Sequence, residues 1–416
     1  MNCTAMIKVS FLTGEFPPMQ GGIADHIVHL ANQMAVLEID SSILTSRAWQ
    51  ETASGDIGSS ATTVATWRHH VFPVLPNWGW RCWPATATFT AKHQPDIVHI
   101  QYQAAAFDLG GWVNWLPWYL KKRRIRTQIV TTFHDLRIPY IFPKAGPARR
   151  KSILALARHS DGVICTNRED LQTLTNQLGD SGGQSSSPQL THIPLGSNVE
   201  PQPPADFNRQ AWRTRYQAGE DTLLLAYFGF LNESKGAEEL IGALGRLRQE
   251  HIEARLLLIG GDVGHADPTN RAYAQSVQTL INRGGLTAYV YRTGYISLAE
   301  VSANLLAADA VVMPYRDGVS FRRTTLIAAL RHGCPVVSTS PADLALIPEI
   351  RPGQNMLLAP PHDAEALARE IASLAQNTAL RAALSTGAKS LGSLFEWEKI
   401  AAQTAELYRQ LIPSGD

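Results

Sequence analysis

Short apolar runs alternate with longer amphipathic stretches along most of the chain. Residues 7–12 read as a buried strand, and residues 23–36 then place Ile23, Ile27, Leu30 and Met34 on one helical face. Residues 97–100, 129–132 and 162–165 are further strand candidates, the last followed by a helix from about Arg168. Strands alternating with helices predict an α/β fold with a parallel, doubly wound sheet. The rhythm breaks at a Ser/Gly-rich stretch, 180–189, and a proline-rich one, 201–204, and restarts at residues 223–228. Residues 256–259, 289–291, 310–313 and 335–339 are later strands, and a helix over 325–331 is stopped by Gly333 and Pro335. Two Rossmann-like domains follow, one over 1–200 and one over 201–397, each expected to bind ligand at the carboxyl ends of its strands. Segments 51–63 and 176–189 are small and polar and read as surface loops.

Composition adds limits. With 44% hydrophobic and 18% charged residues, each domain can bury a full core, which excludes a mainly disordered chain. The net charge of +1 excludes a global basic field for nucleic acid, so any anion site must be local. Cys3, Cys82, Cys165 and Cys334 are far apart and form no CxxC pair, which argues against a disulfide framework or zinc site and for a reducing compartment. The N-terminal apolar segment is too short for a signal peptide, and no run approaches the roughly 18 apolar residues of a membrane span. A cytoplasmic protein is expected.

Several segments carry candidate chemistry. Gly229-Phe230-Leu231-Asn232-Glu233-Ser234-Lys235-Gly236 follows a strand and opens a helix at about Ala237. Glycine admits close ligand approach, the helix start offers free N–H groups, and Lys235 adds a charge, a combination that suits a diphosphate. The plain alternative is a tight β–α turn with a surface lysine. Gly21 and Gly22 precede the first long helix and offer the same anion logic, or an ordinary turn. His134-Asp135 follows a strand where side chains of this fold act on ligands, although a capping Asp135 beside a structural histidine fits as well. Asp317, Gly318, Val319, Ser320, Arg322, Arg323 and Thr324 precede a helix, and two arginines with a run of backbone N–H groups could clamp phosphate. A solvated basic turn is the simpler reading. Trp112, Trp115 and Trp118 fall at helical spacing before Lys121-Lys122-Arg123-Arg124. That pairing suits a peripheral contact with the inner face of a membrane. A helix packed on the sheet with a cationic end needs no membrane and is preferred, because the fold requires a covering helix there.

Taken in order, these segments resemble the GT-B glycosyltransferases of family 4, the glycogen-synthase and mannosyltransferase-like group. Gly14-Glu15-Phe16-Pro17-Pro18 through Gly21-Gly22 resembles the family's N-terminal loop, and Pro95-Asp96-Ile97-Val98-His99-Ile100-Gln101 its PDxVHxx strand. Thr131-Thr132-Phe133-His134-Asp135, Ile193-Pro194-Leu195-Gly196-Ser197-Asn198, the 228–236 loop and Gly333-Cys334-Pro335-Val336-Val337 match further family segments, as do residues 355–368 and Phe395-Glu396-Trp397. The resemblance implies two Rossmann-like domains facing across a cleft, the last helix, 398–416, crossing back to the first. It implies a retaining transfer of a hexose-type sugar from a nucleotide-sugar donor to a glycan or lipid-linked acceptor, or to a small-molecule glycoside, with no metal and no cofactor. By position, His134 and Lys235 would be catalytic. Gly21, Gly22, Gly229, Asn232 and the 317–324 residues named above would bind the donor, and Glu15, Gln101 and Tyr102 the acceptor.

The chain departs from the family pattern in two places. Phe230 stands where the family has arginine, and Ala328 and Ser320 stand where it has paired glutamates. The 318–323 loop resembles a variant subgroup in which Arg322 or Arg323 would restore the lost charge and Asp317 or Ser320 would replace a glutamate. Two other classes compete: a nucleotide-sugar isomerase or hydrolase of the same fold, and a non-catalytic partner of another transferase. The first wants a placed carboxylate pair that the sequence does not offer. Retention of Lys235, His134 and the glycine pairs argues against the second.

Overall fold

The computed structural model describes residues 6–19, 21–54, 61–67, 69–136, 146–179, 187–261 and 268–412. The chain divides into two compact units, residues 1–195 with 397–416, and residues 196–396. The first crossing thus falls a few residues before the expected 200/201 boundary.

The first unit holds β1 (Lys8–Leu12), β2 (Asp40–Ser46), β3 (Val71–Leu75), β4 (Ile97–Tyr102), β5 (Gln128–Phe133), β6 (Gly162–Cys165) and β7 (Gln189–His192). They lie in the order β3-β2-β1-β4-β5-β6-β7, every pairing parallel. Helices α1 (Gly22–Val36), α2 (Ala48–Ala53), α3 (Ala61–Trp67), α4 (Cys82–His93), α5 (Leu116–Lys122), α6 (Gly146–His159) and α7 (Arg168–Gly179) make the connections. The α1 face foreseen in the sequence is the buried one, joined by His26. Segments 51–63 and 176–189 are less loop-like than expected: α2 runs into the first, α3 begins within it, and α7 reaches Gly179. Residues 55–60 and 180–186 lie outside the described residues.

Four strands escaped the hydrophobic pattern: β2, β3 and β7 here and the three-residue strand Leu357–Ala359 of the second unit. In β2 the polar side chains are satisfied by neighbours, Ser42 Oγ lying 2.7 Å from Ser10 Oγ and Thr45 donating to the Thr13 carbonyl at 2.9 Å. In β3, Pro73 removes a ladder donor, which the sheet tolerates because β3 is an edge.

The second unit holds α8 (Arg209–Thr214), β8 (Leu223–Phe228), α9 (Ala237–Gln249), β9 (Ala254–Ile259), α10 (Pro268–Arg283), β10 (Val290–Arg292) and α11 (Leu298–Ala307). It continues with β11 (Ala310–Met313), α12 (Thr324–Arg331), β12 (Val336–Thr339), β13 (Leu357–Ala359), α13 (Ala364–Gln376) and α14 (Thr378–Gly392). Its parallel strands lie in the order β10-β9-β8-β11-β12-β13. Arg331 on α12 ties both ends of this unit, pairing with Glu200 at 2.8 Å and Glu396 at 3.0 Å.

The last helix, α15 (Trp397–Leu411), belongs to the first unit, where Trp397, Ile400, Ala401 and Tyr408 enter the core. Strand order reverses between β1 and β4 and between β8 and β11. Ligands of open α/β sheets bind at such points, outside the carboxyl ends of the strands. The segments that leave β1 and β8 there are 13–22 and 229–236.

The covering helix preferred for the tryptophan stripe is present and ends in its basic run, but the tryptophans do not form its packed face. A 3-10 turn, Val113–Trp115, leads into α5, and Val113, Leu116, Pro117 and Leu120 form the packed face. Trp112, Trp115 and Trp118 remain 43%, 40% and 37% exposed. Cys82, Cys165 and Cys334 are buried free thiols.

Candidate functional site

In the second unit, β8 ends directly in Gly229, whose φ of 115° lies in the region open to glycine. A Cβ there would sit 2.5 Å from Lys235 Nζ and 3.1 Å from Thr325 Cγ2. The missing side chain therefore lets the lysine ammonium lie over the backbone, beside the start of α12. A single 3-10 turn, Glu233–Lys235, sets that reach, and Gly236 caps α9 in a left-handed conformation. Arg316 braces the turn: it pairs with Glu233 at 2.5 Å and Glu238 at 2.6 Å, and its amide donates to the Ser234 carbonyl at 3.0 Å. Sequence reasoning missed this arginine, because its acid partners are brought to it only by folding.

The Lys235 ammonium forms no hydrogen bond or ion pair among the described residues. Burial, and then the nearby Arg323 guanidinium, lower its pKa to about 8. A half-buried ammonium beside a second cation, without an acid, is suited to an anion.

Arg323 donates to both oxygens of Asp317, at 2.8 and 3.0 Å, and to Ser234 Oγ at 3.3 Å. Ser234 in turn donates to Asn232 Oδ1 at 2.9 Å. Of the two arginines, Arg323 is the one whose charge acts on Lys235. The expected cradle of amides from Gly318 to Ser320 is not assembled. The Gly318 amide donates to Tyr315 at 3.2 Å and that of Val319 to Thr339 at 2.9 Å, because the chain after β11 turns back along the end of β12. Ser320 is occupied within its own turn, its hydroxyl accepting from Arg322 N and its carbonyl from Arg323 N. Thr324 is the first residue of α12. Phe230, in the place of the family arginine, is 48% exposed and packs toward Gly261.

In the first unit, the chain leaving β1 brings the Glu15 carboxylate against Gly21, so that a side chain there would have to displace it. Gly22 is different, since a Cβ on it would meet open space. Glu15 and Asp25 both stand at this helix start, and burial raises the pKa of each. The start of α1 thus presents hydrogen-bond acceptors as well as amides.

A buried polar chain runs behind it. His99 Nδ1 lies 2.6 Å from Tyr408 Oη, and Gln101 Nε2 donates to His99 Nε2 at 3.2 Å. Gln101 Oε1 lies 2.8 Å from His134 Nε2. An amide that donates at one end and accepts at the other selects the tautomers. With the amide so oriented, His99 Nε2 accepts from Gln101 and from Thr132 Oγ1 at 2.7 Å, and His134 carries its proton on Nε2, which leaves His134 Nδ1 as an acceptor. Burial lowers the pKa of His134 to about 4, and burial followed by the charge of His134 takes His99 to about 3, so both are neutral near pH 7. His26 packs edge-on to His134 at 4.8 Å and to Trp397 at 5.2 Å, and its Nδ1 has no partner among the described residues. Burial first, then His134, His99 and His29, depress its pKa strongly.

Gln101 and Tyr102, expected to touch an acceptor, are both almost fully buried. Successive strand residues face opposite sides of the sheet. Gln101 is committed to the histidines, and Tyr102 lines a small cavity of about 30 Å³ with Phe107, Asn114 and Arg149. Glu15 alone of the three keeps access to solvent. His26, Tyr408 and Trp397 had been given no role; the signal for His26 was its place on the apolar face of α1.

Comparison with known proteins follows the same division. Residues 222–377 match the family profile described as glycosyl transferases group 1, and residues 21–183 that of the glycosyl transferase 4-like domain. A D-inositol 3-phosphate glycosyltransferase of Streptomyces bingchenggensis is 25% identical over 94% of this chain and 85% of its own length. A GDP-mannose-dependent alpha-(1-6)-phosphatidylinositol monomannoside mannosyltransferase of Mycobacterium tuberculosis is 21% identical over 97% of this chain and 98% of its own. Among solved structures, Anabaena HepE in complex with UDP and glucose superposes with a TM-score of 0.70 at 18% identity, covering 97% of this chain and 100% of that one. Sucrose-phosphate synthase of Thermosynechococcus elongatus gives 0.69 at 22%, covering 97% and 99%. With two Rossmann-like units of this kind and both halves matched in order, the chain belongs to the group 1, family 4-like glycosyltransferases of the GT-B fold.

Proposed function

We propose that the protein is a retaining glycosyltransferase that moves a hexose-type sugar from a nucleotide-sugar donor to an acceptor hydroxyl of a glycolipid, polysaccharide or small-molecule glycoside. The observation that carries this reading is the unpartnered Lys235 ammonium over Gly229, beside Arg323 and the start of α12. A departing nucleoside diphosphate gains negative charge as the glycosidic bond breaks, and a preorganised cation stabilises that charge most where water is scarce. Lys235 is that cation. Arg323, held by Asp317, supplies a second charge in the place left by Phe230. Neutral His134 offers Nδ1 to a sugar hydroxyl without adding positive charge beside an oxocarbenium-like centre. Glu15 and Asp25 at the start of α1 suit polyol hydroxyls, and the relatives named for inositol phosphate and phosphatidylinositol mannoside make such acceptors the first to assay.

The test is to incubate the protein with UDP-, GDP- and ADP-sugars and these acceptors, and to read the anomeric configuration of the product by NMR. Retention in the wild type, with turnover lowered roughly 10²–10³-fold by Lys235→Ala, is expected. An inverted product refutes retention, and unchanged K235A turnover refutes the lysine's role.

A further inference from the structure

The exposed tryptophans form one surface that the sugar chemistry does not use. Trp83, half-buried at the start of α4, anchors it by donating its indole N–H to the Trp112 carbonyl at 2.8 Å. The Trp83 ring centroid lies 5.6 Å from that of Trp112 and 6.4 Å from that of Trp118. Trp115 and, just before α4, Trp80 add rings that are 40% and 56% exposed. Leaving four indoles so exposed on one face of one unit wastes apolar burial unless something covers them.

Cations border the same face. Lys122 Nζ stands 5.2 Å above the Trp118 ring, and the Arg123 guanidinium lies 5.4 Å from that of Tyr119. Arg124 is exposed beside them, and Arg81 sits over Trp80 at 5.7 Å. Residues 77–95 and 109–128 contain no acidic residue. Of the acids next to these segments, Asp161 takes Lys121 at 2.7 Å and the Ile129 amide, Asp96 takes the Lys8 amide, and Asp108 is exposed just before Leu109. The face is therefore apolar and aromatic in its middle and net positive at its edge, where Arg81, Lys122, Arg123 and Arg124 outnumber Asp108.

We propose that this face docks the protein reversibly on an anionic lipid bilayer. Indoles prefer the headgroup boundary, where the ring is apolar and the N–H is wet, and cations one step above them meet lipid phosphates. Charge complementarity selects the occupant, since a neutral glycan stacking on the rings leaves the cations with nothing to bind. In a parallel sheet the starts of covering helices stand at the carboxyl ends of the strands. Trp80, Trp83 and Trp112 precede or open α4 and α5 at that edge, while the basic run closes α5 beside Asp161 at the opposite one, so the docking face runs along the outside of the two helices. The inference does not depend on the donor reading.

Flotation of the full chain with vesicles of phosphatidylcholine alone, or of phosphatidylcholine with phosphatidylglycerol, tests it. Binding only to the anionic vesicles is expected, and it should be lost at about 1 M salt, where the Debye length falls to roughly 3 Å. Quenching of wild-type tryptophan fluorescence by brominated lipid should accompany binding. Trp112→Ser with Trp115→Ser should abolish flotation. Lys122→Gln, Arg123→Gln and Arg124→Gln should each weaken it roughly fivefold, as expected for one surface cation. All substituted positions are exposed, and unchanged far-ultraviolet dichroism checks their folding. Absence of wild-type flotation at low salt, flotation without lipid quenching, or a patch that binds dextran beads better than anionic vesicles overturns the proposal.

Discussion

Lys235 can be weighed by titrating it while a nucleoside diphosphate binds. In the free protein its pKa stands at about 8. A phosphate charge at about 4 Å in a medium of effective dielectric near 20 contributes about 4 kcal/mol to the charged form. At about 1.4 kcal/mol per unit, this raises the bound pKa by roughly three units. Binding at pH 8 should therefore take up about half a proton, and affinity should fall about tenfold from pH 7 to pH 9 as the free ammonium is lost. Calorimetry in buffers of different ionisation enthalpy reads the proton uptake, and the same titrations read the affinity. Lys235→Ala should bind weakly with no such decline, and comparing the two cancels the nucleotide's own ionisations. Lys235→Arg should lose the decline because a guanidinium does not titrate in this range. The free protein responds in the opposite sense. Its folded state releases this proton before the unfolded chain does, so the lysine's penalty on stability is present below pH 8 and is relieved as pH rises toward 10.5. A buffer-independent enthalpy at pH 8, or a tenfold decline that persists in K235A, would refute the reasoning.

Gly229→Ala should weaken nucleoside diphosphate binding at least tenfold, because its Cβ displaces the Lys235 ammonium, whereas Gly22→Ala, opening into free space, should bind as the wild type does. Equal affinities in the two variants would contradict the role of the Lys235 ammonium over Gly229. Arg323→Ala should reduce nucleoside diphosphate affinity and raise the midpoint of the Lys235 titration, since one neighbouring cation is gone; a midpoint that stays at about 8 counts against that coupling. Tyr408→Phe should cost about 1–3 kcal/mol in denaturant unfolding by stranding the buried His99 Nδ1, and an unchanged midpoint would argue against that hydrogen bond. His134 and His99 should make folding acid-sensitive. Their folded pKa values, about 4 and 3, lie below the ordinary 6.5, so the stability present above pH 6.5 is lost as pH falls toward those values. Each contributes about 1.4 kcal/mol per pH unit in that window, and a His134→Gln variant with an unchanged acid slope would refute its share.

Local pattern determined the two-sheet architecture and the order of its parts. Apolar runs of strand length and the 3.6-residue spacing in α1 are set by which side chains must leave water, and that is written residue by residue. The placement of Gly229, Lys235 and the start of α9 was legible because strand, loop, cation and helix are contiguous in the chain. What escaped depended on partners distant in sequence. The hydroxyls of β2 look like loop until Ser10 and Thr13 come alongside. The amides of Gly318 and Val319 look free until β12 supplies the Thr339 carbonyl. Gln101 looks like a ligand contact until Tyr408, 309 residues from His99, completes the chain that orients His134. Even the tryptophan stripe was legible only as a helical spacing, because the same spacing serves a buried face and an exposed one. Packing of Val113, Leu116 and Leu120 on the sheet turned those rings outward, and a hydrophobic pattern cannot settle that choice when both faces of a helix are apolar.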